Sequence, residues 1–280
     1  MLAARMNALP AFFVVTYVIT WGCWFGADRL EAAVPRTLLF YAGVFTPGLV
    51  ALGFTARETG RHGLMALLLR LIQWEVPARW YAFALGYLAV IKLAVALLHR
   101  AVMGSWPAFG QESWALMFAA TIGSTLLGGQ GGEELGWRGY ALPRMAVRLG
   151  PGGAGILLGG LWAGWHLPLF FIPGASLFGQ SIPVYFLQVT ALSVAMAWLY
   201  GHTRGSLFLM MLLHAAVNNT KDIVPSAEAN ATNPWTLSHS PVAWMTLALL
   251  WLCAGWFLRR MPNLPATASP ANSRSESTTS

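Results

Sequence analysis

The chain is short of charge. Asp, Glu, Lys and Arg make up 10% of its 280 residues, where ordinary soluble domains carry about 25%. So few ionic side chains cannot cover a globular surface in water. Cysteine is scarcer still. Cys23 and Cys253 fall in different apolar segments with no partner spacing, so neither a disulfide framework nor a thiolate metal site is suggested, and both read as buried bystanders. The polar stretch 261–280 holds no cysteine, which excludes a prenylated C-terminus there. No groove of interleaved basic and aromatic residues is present, so the formal charge of +7 reads as contact with anionic lipid rather than nucleic acid.

What remains is apolar: 56% of the residues are hydrophobic. Runs of roughly 17–25 apolar residues span a bilayer as helices, and eight candidates occur, at about 9–27, 38–55, 79–99, 112–133, 153–172, 182–201, 205–220 and 241–258. The expected fold is an all-α polytopic membrane helix bundle, a single domain over 1–260 with a disordered, Ser-, Thr- and Pro-rich tail at 261–280. The first run resembles a signal peptide but is too long and lacks a small-x-small cleavage site, so a retained helix is expected. Residues 63–74 are too short to cross and are flanked by Arg57, Arg61 and Arg79, which predicts an interfacial helix, either a plain connector or a part of substrate capture. Aromatic residues, 13% of the chain with 14 Trp, fit belts at the two interfaces.

The distribution of Lys and Arg sets the orientation. With eight spans, Arg5, Arg57, Arg61, Arg70, Arg79, Arg138, Arg144, Arg148, Arg204, Arg259, Arg260 and Arg274 share one side. Arg29, Arg36, Arg100 and Lys221 lie on the other, and Lys92 lies within a span. The positive-inside rule then places both termini of a multi-pass cell-membrane protein in the cytoplasm.

Carboxylates stand out against this background. Glu133 and Glu134 end the fourth run, after Gly128-Gly129-Gln130-Gly131-Gly132, where charge in hydrocarbon costs at least ~2.5 kcal/mol. The glycines either let helices approach closely or loosen the helix for substrate access. Arg138 follows Glu134 by four residues, so on a continuing helix the two share a face and pair. Glu133 points about 100° away and is left free. His166 in the fifth run, and His214 and Asn218 four residues apart in the seventh, add polar groups that need partners where water is absent. Glu133, His166, His214 and Asn218 would most cheaply satisfy one another around a shared cavity.

Such a set has a chemistry. A carboxylate and an imidazole facing a trapped water polarise it for attack on a carbonyl, and a second imidazole with an amide donates to the developing oxyanion. The set offers no activated Ser or Cys, so water attack on an amide is the economical reaction. One carboxylate and two imidazoles also match a three-ligand catalytic zinc set, although no His-Glu-x-x-His segment occurs.

In order, Glu133-Glu134-x-x-x-Arg138, Trp162-x-x-x-His166 and His214-x-x-x-Asn218 resemble the three motifs of the CAAX protease and bacteriocin-processing (Abi) family of intramembrane endopeptidases, over about residues 60–220. The resemblance implies that Glu133 is the catalytic base, that His166 helps it activate water, that His214 and Asn218 stabilise the oxyanion, and that Glu134 and Arg138 support the first motif. It implies a peptide or membrane-protein substrate, lipidated or not, and no cofactor. The second motif often begins with Phe where this chain has Trp162, an exchange expected to change little. Three alternatives stay open: a zinc metalloprotease using Glu133, His166 and His214, a noncatalytic scaffold or bacteriocin self-immunity protein, and a proton-coupled transporter. Transport is disfavoured because the polar motifs lack a counterpart in the first half of the chain.

Overall fold

The computed structural model describes residues 2–226 and 233–265, and among them the regular structure is entirely helical. Nine α-helices follow in order: α1 (Leu2–Asp28), α2 (Ala33–Leu69), α3 (Ala78–Met103), α4 (Trp114–Leu127), α5 (Gln130–Glu134), α6 (Leu142–Trp165), α7 (Ile182–His202), α8 (Leu207–Thr220) and α9 (Pro241–Arg259). Five helical stretches, Ala8–Asp28, Ala33–Ile72, Ala78–Met103, Ile182–His202 and Pro241–Arg259, are long and apolar enough to cross a membrane. The other three predicted spans are short or interrupted. α4 and α8 have 14 residues each, about 21 Å at 1.5 Å per residue, less than the ~30 Å hydrocarbon core. α6 is broken at Gly150, whose φ is 65°.

The boundaries that differ from expectation have local causes. The run expected at 112–133 is not one helix: α4 stops at Gly128, which is extended (ψ 178°), and α5 begins at Gln130. Residues Leu135–Ala141 then continue α5 into α6 as a π-helical segment, every residue of which is buried. The run expected at 153–172 ends at Trp165, with a 3-10 turn over Leu167–Phe170, because Pro168 cannot continue a helix. His166 is therefore the capping residue of α6 rather than part of its interior. The interfacial helix expected at 63–74 is the end of α2, set off by Gly60, whose φ of 62° only glycine adopts freely. It is fastened under the α7–α8 turn: Arg70 donates to the Tyr200 hydroxyl at 2.7 Å, and Ser206 donates to the Gln73 carbonyl at 2.6 Å.

Glycine also decides how α2 meets the acidic segment. A Cβ on Gly132 would lie 2.9 Å from Phe45 Cα, and one on Gly48 would lie 2.6 Å from the Gly132 carbonyl oxygen. Backbones therefore touch where side chains would separate them, and at Gly132 close packing is the reading the structure shows. The π segment packs on the same helix, where Glu58 accepts from the Tyr140 hydroxyl and from Arg144, both at 2.6 Å.

Two further expectations are corrected. The tryptophans do not simply form interfacial belts. Trp24, Trp137 and Trp165 are fully buried and pack together, with ring centroids 4.6 Å apart for Trp24 and Trp165 and 5.7 Å for Trp137 and Trp165. The tail expected to be disordered from 261 has Met261 and Leu264 packed on the core, where Gly201 in α7 leaves room for Pro262 and Gly205 in the turn after α7 leaves room for Pro265. Its remainder, 266–280, lies outside the described residues.

Candidate active site

Three helix ends bring the polar side chains together. α5 delivers Glu133 and Glu134, the end of α6 delivers Trp162 and His166, and α8 delivers His214 and Asn218. Glu133, His166, His214 and Asn218 all line one cavity of about 490 Å³, within the range of ligand pockets. Its floor also carries Lys92, Tyr185 and Asp222.

The two glutamates differ sharply. Glu134 is fully buried and does not line the cavity. Its carboxylate accepts from Arg138 Nη1 at 3.0 and 3.2 Å and from His214 Nδ1 at 2.9 Å. Arg138 is equally buried and lies face-on to the Trp162 ring, 4.3 Å from its centroid, a cation–π contact that adds to the ion pair. Glu133 is 7% exposed and faces the cavity. One of its oxygens, Oε2, accepts from Trp162 Nε1 at 2.8 Å, and among the described residues no protein group donates to the other.

The imidazoles are held in defined tautomers, because a carbonyl or carboxylate oxygen can only accept. His166 Nδ1 lies 2.8 Å from the Trp162 carbonyl, so it carries a proton and Nε2 is left with a lone pair. His214 Nδ1 donates to Glu134, so His214 Nε2 becomes a donor only when the ring is doubly protonated.

The expectation that the four cavity groups would satisfy one another is not met. Glu133 is held by Trp162, His214 by Glu134 and His166 by the backbone of its own helix. Asn218 is exposed, and among the described residues its amide has no hydrogen-bond partner. It stands where the cavity adjoins a second groove lined by Phe109, Trp114 and Asp222. The polar groups face a common space rather than bonding across it, as a set arranged for a substrate must.

Trp162 is the residue that sequence reasoning undervalued. It donates to Glu133, carries Arg138 on its face, accepts from His166 through its carbonyl and lies edge-on to His214 at 5.1 Å. The exchange of Phe for Trp therefore adds a hydrogen bond that Phe lacks. The signal was present in its place at the head of the second motif, four residues before His166. Trp162→Phe keeps a ring under Arg138 and removes only the N–H. A hydrogen bond to a charged group contributes about 1.5–3 kcal/mol, so catalysis is expected to fall about 10- to 100-fold in kcat with KM little changed, measured by steady-state kinetics. An unchanged kcat would make the contact incidental.

A zinc ion fits this arrangement poorly. Among the described residues no three His, Cys, Asp or Glu side chains are grouped to hold a metal.

With this geometry in view, the likeness to known proteins is specific. The family model described as type II CAAX prenyl endopeptidase Rce1-like matches residues 110–220, a stretch that begins later than the 60–220 expected from the motifs and still contains all six site residues. CAAX prenyl protease 2 of Methanococcus maripaludis is 26% identical over 232 residues, covering 76% of this chain and 83% of the relative.

Proposed function

Taking as premise the type II CAAX prenyl endopeptidase family, which both matches support, we propose that this protein is an intramembrane endopeptidase that hydrolyses peptide bonds with water activated by Glu133. The observation that carries the proposal is the convergence of Glu133, His166, His214 and Asn218 on one cavity. A water between Glu133 and His166 donates one hydrogen to the free Glu133 oxygen and the other to His166 Nε2, which aims its lone pair at the substrate carbonyl. Glu133 takes the proton as the C–O bond forms. The oxyanion is met by the Asn218 amide and by Nε2–H of a doubly protonated His214, whose charge Glu134 faces. Collapse breaks the C–N bond, and Glu133 returns its proton to the leaving amine.

Glu134 and Arg138 act at one remove, by fixing the His214 ring. The reaction as proposed uses no metal, and the excess of Arg on one set of loops supports a cytoplasmic position for both termini.

The test is direct. Purified protein in lipid vesicles is incubated with lipidated and unlipidated reporter peptides, and new chain ends are sought by mass spectrometry. Cleavage is expected, with His166→Ala inactive. Failure to cleave any peptide, with full biological activity in His166→Ala, would favour the noncatalytic scaffold. Exhaustive chelation is expected to leave the rate within about twofold, with metal content measured alongside. Loss of activity restored by zinc would return the metalloprotease reading.

A further inference from the structure

The turns of the bundle gather on two opposite faces, and the faces differ in charge. Arg57, Arg61, Arg79, Arg148, Arg204 and Arg259 are exposed on one of them. On this arginine face α9 ends, and the turns after α2 and α7 are tied together by the bonds from Arg70 to Tyr200 and from Gln73 to Thr203. The opposite face carries the turns after α1, α3 and α8 and the stretch between α6 and α7. There the Gly110 amide donates to the Ile223 carbonyl at 3.1 Å and the Ile182 amide to the Pro234 carbonyl at 2.8 Å. Its cations among the described residues are Arg29, Arg36, Arg100 and Lys221, offset by Asp28, Glu31, Glu112 and Asp222.

The catalytic cavity opens toward the second face. Its wall runs from Glu133 and His214 to Ser176, Gln180, Asp222 and Ser226, which belong to the turns after α6 and α8, and Ser176, Asn218 and Asp222 are exposed. The groove that meets it at Asn218 and Asp222 has a volume of about 630 Å³ and is lined by Phe109, Gln111 and Glu112 from the turn after α3. Toward the arginine face the site is closed. The π segment runs that way from Glu134, with Trp137, Arg138 and Tyr140 fully buried. A Cβ on Gly139 would lie 2.7 Å from Leu67 and 3.2 Å from Leu207, so the end of α2 and the start of α8 press directly on that segment. A groove on the arginine face, between residues 66–75 and Arg204, shares no residue with the catalytic cavity.

We propose that the cavity opens on the face of the membrane opposite the termini, so that the substrates of this chain are peptide segments exposed away from the cytoplasm. The proposal rests on the peptidase reading. Loops rich in Arg are retained in the cytoplasm, which makes the arginine face the cytoplasmic one. A peptide on that side meets the packed π segment before it meets Glu133. A route around it leads through hydrocarbon, where each unpaired backbone group costs several kcal/mol. From the other side the peptide enters past Asp222 and Asn218 and reaches Glu133 through open space.

The experiment fixes the face and the activity separately. In full-length protein carrying Cys23→Ala and Cys253→Ala, single cysteines are labelled with a membrane-impermeant maleimide. Ser176→Cys at the mouth is expected to react from outside intact cells. Ser105→Cys, exposed on the same face and clear of the cavity, should behave alike and reports the orientation if Ser176→Cys does not fold. His62→Cys, exposed on the arginine face, is expected to react only after the membrane is opened. The wild type is then reconstituted, vesicles of each orientation are separated by a C-terminal affinity tag, and an impermeant reporter peptide is supplied from outside. Hydrolysis is expected to be at least about tenfold faster in vesicles that present the Ser176 face, because the peptide backbone cannot cross hydrocarbon unpaired. Equal rates in sealed vesicles, or faster hydrolysis with the arginine face outward, overturn the proposal. Labelling of His62→Cys from outside intact cells, with Ser105→Cys protected, overturns it too. If neither orientation hydrolyses the peptide even after detergent opens the vesicles, the peptidase reading fails, and the labelling of Ser176→Cys still decides the face on which the cavity opens.

Discussion

Glu133→Gln is expected to lower peptide hydrolysis by ~10²–10⁴-fold, the usual contribution of a positioned general base, while leaving the bundle folded. The geometry separates the two effects. Glu133 lies outside the buried ion pair, which belongs to Glu134 and Arg138. A glutamine of the same shape keeps an oxygen for the Trp162 N–H, so the contact that orients the side chain survives. What disappears is an oxygen able to accept a proton from water and return it to the leaving amine. The measurement is single-turnover hydrolysis beside thermal unfolding of the same preparation. A rate within a few-fold of wild type, at unchanged stability, would place the base elsewhere. His166 sharpens the comparison, because the proposed mechanism uses its Nε2 only to orient the water: His166→Gln is expected to retain more activity than Glu133→Gln.

The pairing of Glu134 with Arg138, and the separate facing of Glu133, were legible in the sequence. Helical phase puts Glu134 and Arg138 on one face and turns Glu133 away, and the structure keeps that arrangement even though the segment after Glu134 is a π-helix. Periodicity also marked the apolar elements, because each is a run of side chains that water rejects. It could not show where the fourth run breaks. Gly128 is as apolar as its neighbours, and the packing of α2 against Gly132 just beyond it joins residues far apart in the chain.

The partners were harder still. Hydrogen bonds such as Trp162 to Glu133 and His214 to Glu134 join residues 29 and 80 positions apart. The rule that buried polar groups need partners says that such bonds exist without saying which. It also misjudged Asn218, whose amide is exposed rather than satisfied by the other described residues.

Glu134→Gln should fail in the opposite manner to Glu133→Gln, through the fold. Arg138 is fully buried, and its charge is matched by Glu134 alone among the carboxylates it contacts. Among the described residues, Arg138 Nε and Nη2 have no hydrogen-bond partner, so no second acceptor stands ready. Breaking a buried pair by neutralising one member typically costs about 3–5 kcal/mol. For a chain of this size, at 2–4 °C per kcal/mol, that lowers the unfolding midpoint by roughly 6–20 °C. Removing both charges is far milder in general, so Glu134→Gln with Arg138→Met is expected to recover most of the lost stability. Activity should not recover with it, because His214 Nδ1 would then face an amide and no fixed charge would support the doubly protonated ring. The combination separates a residue that holds the fold from one that holds a catalytic imidazole, and both effects are expected of Glu134. If Glu134→Gln alone were as stable as wild type and inactive while Glu133→Gln remained active, the two glutamates would have exchanged roles. The base would then be the carboxylate facing His214, and the cavity-facing Glu133 would serve only to bind.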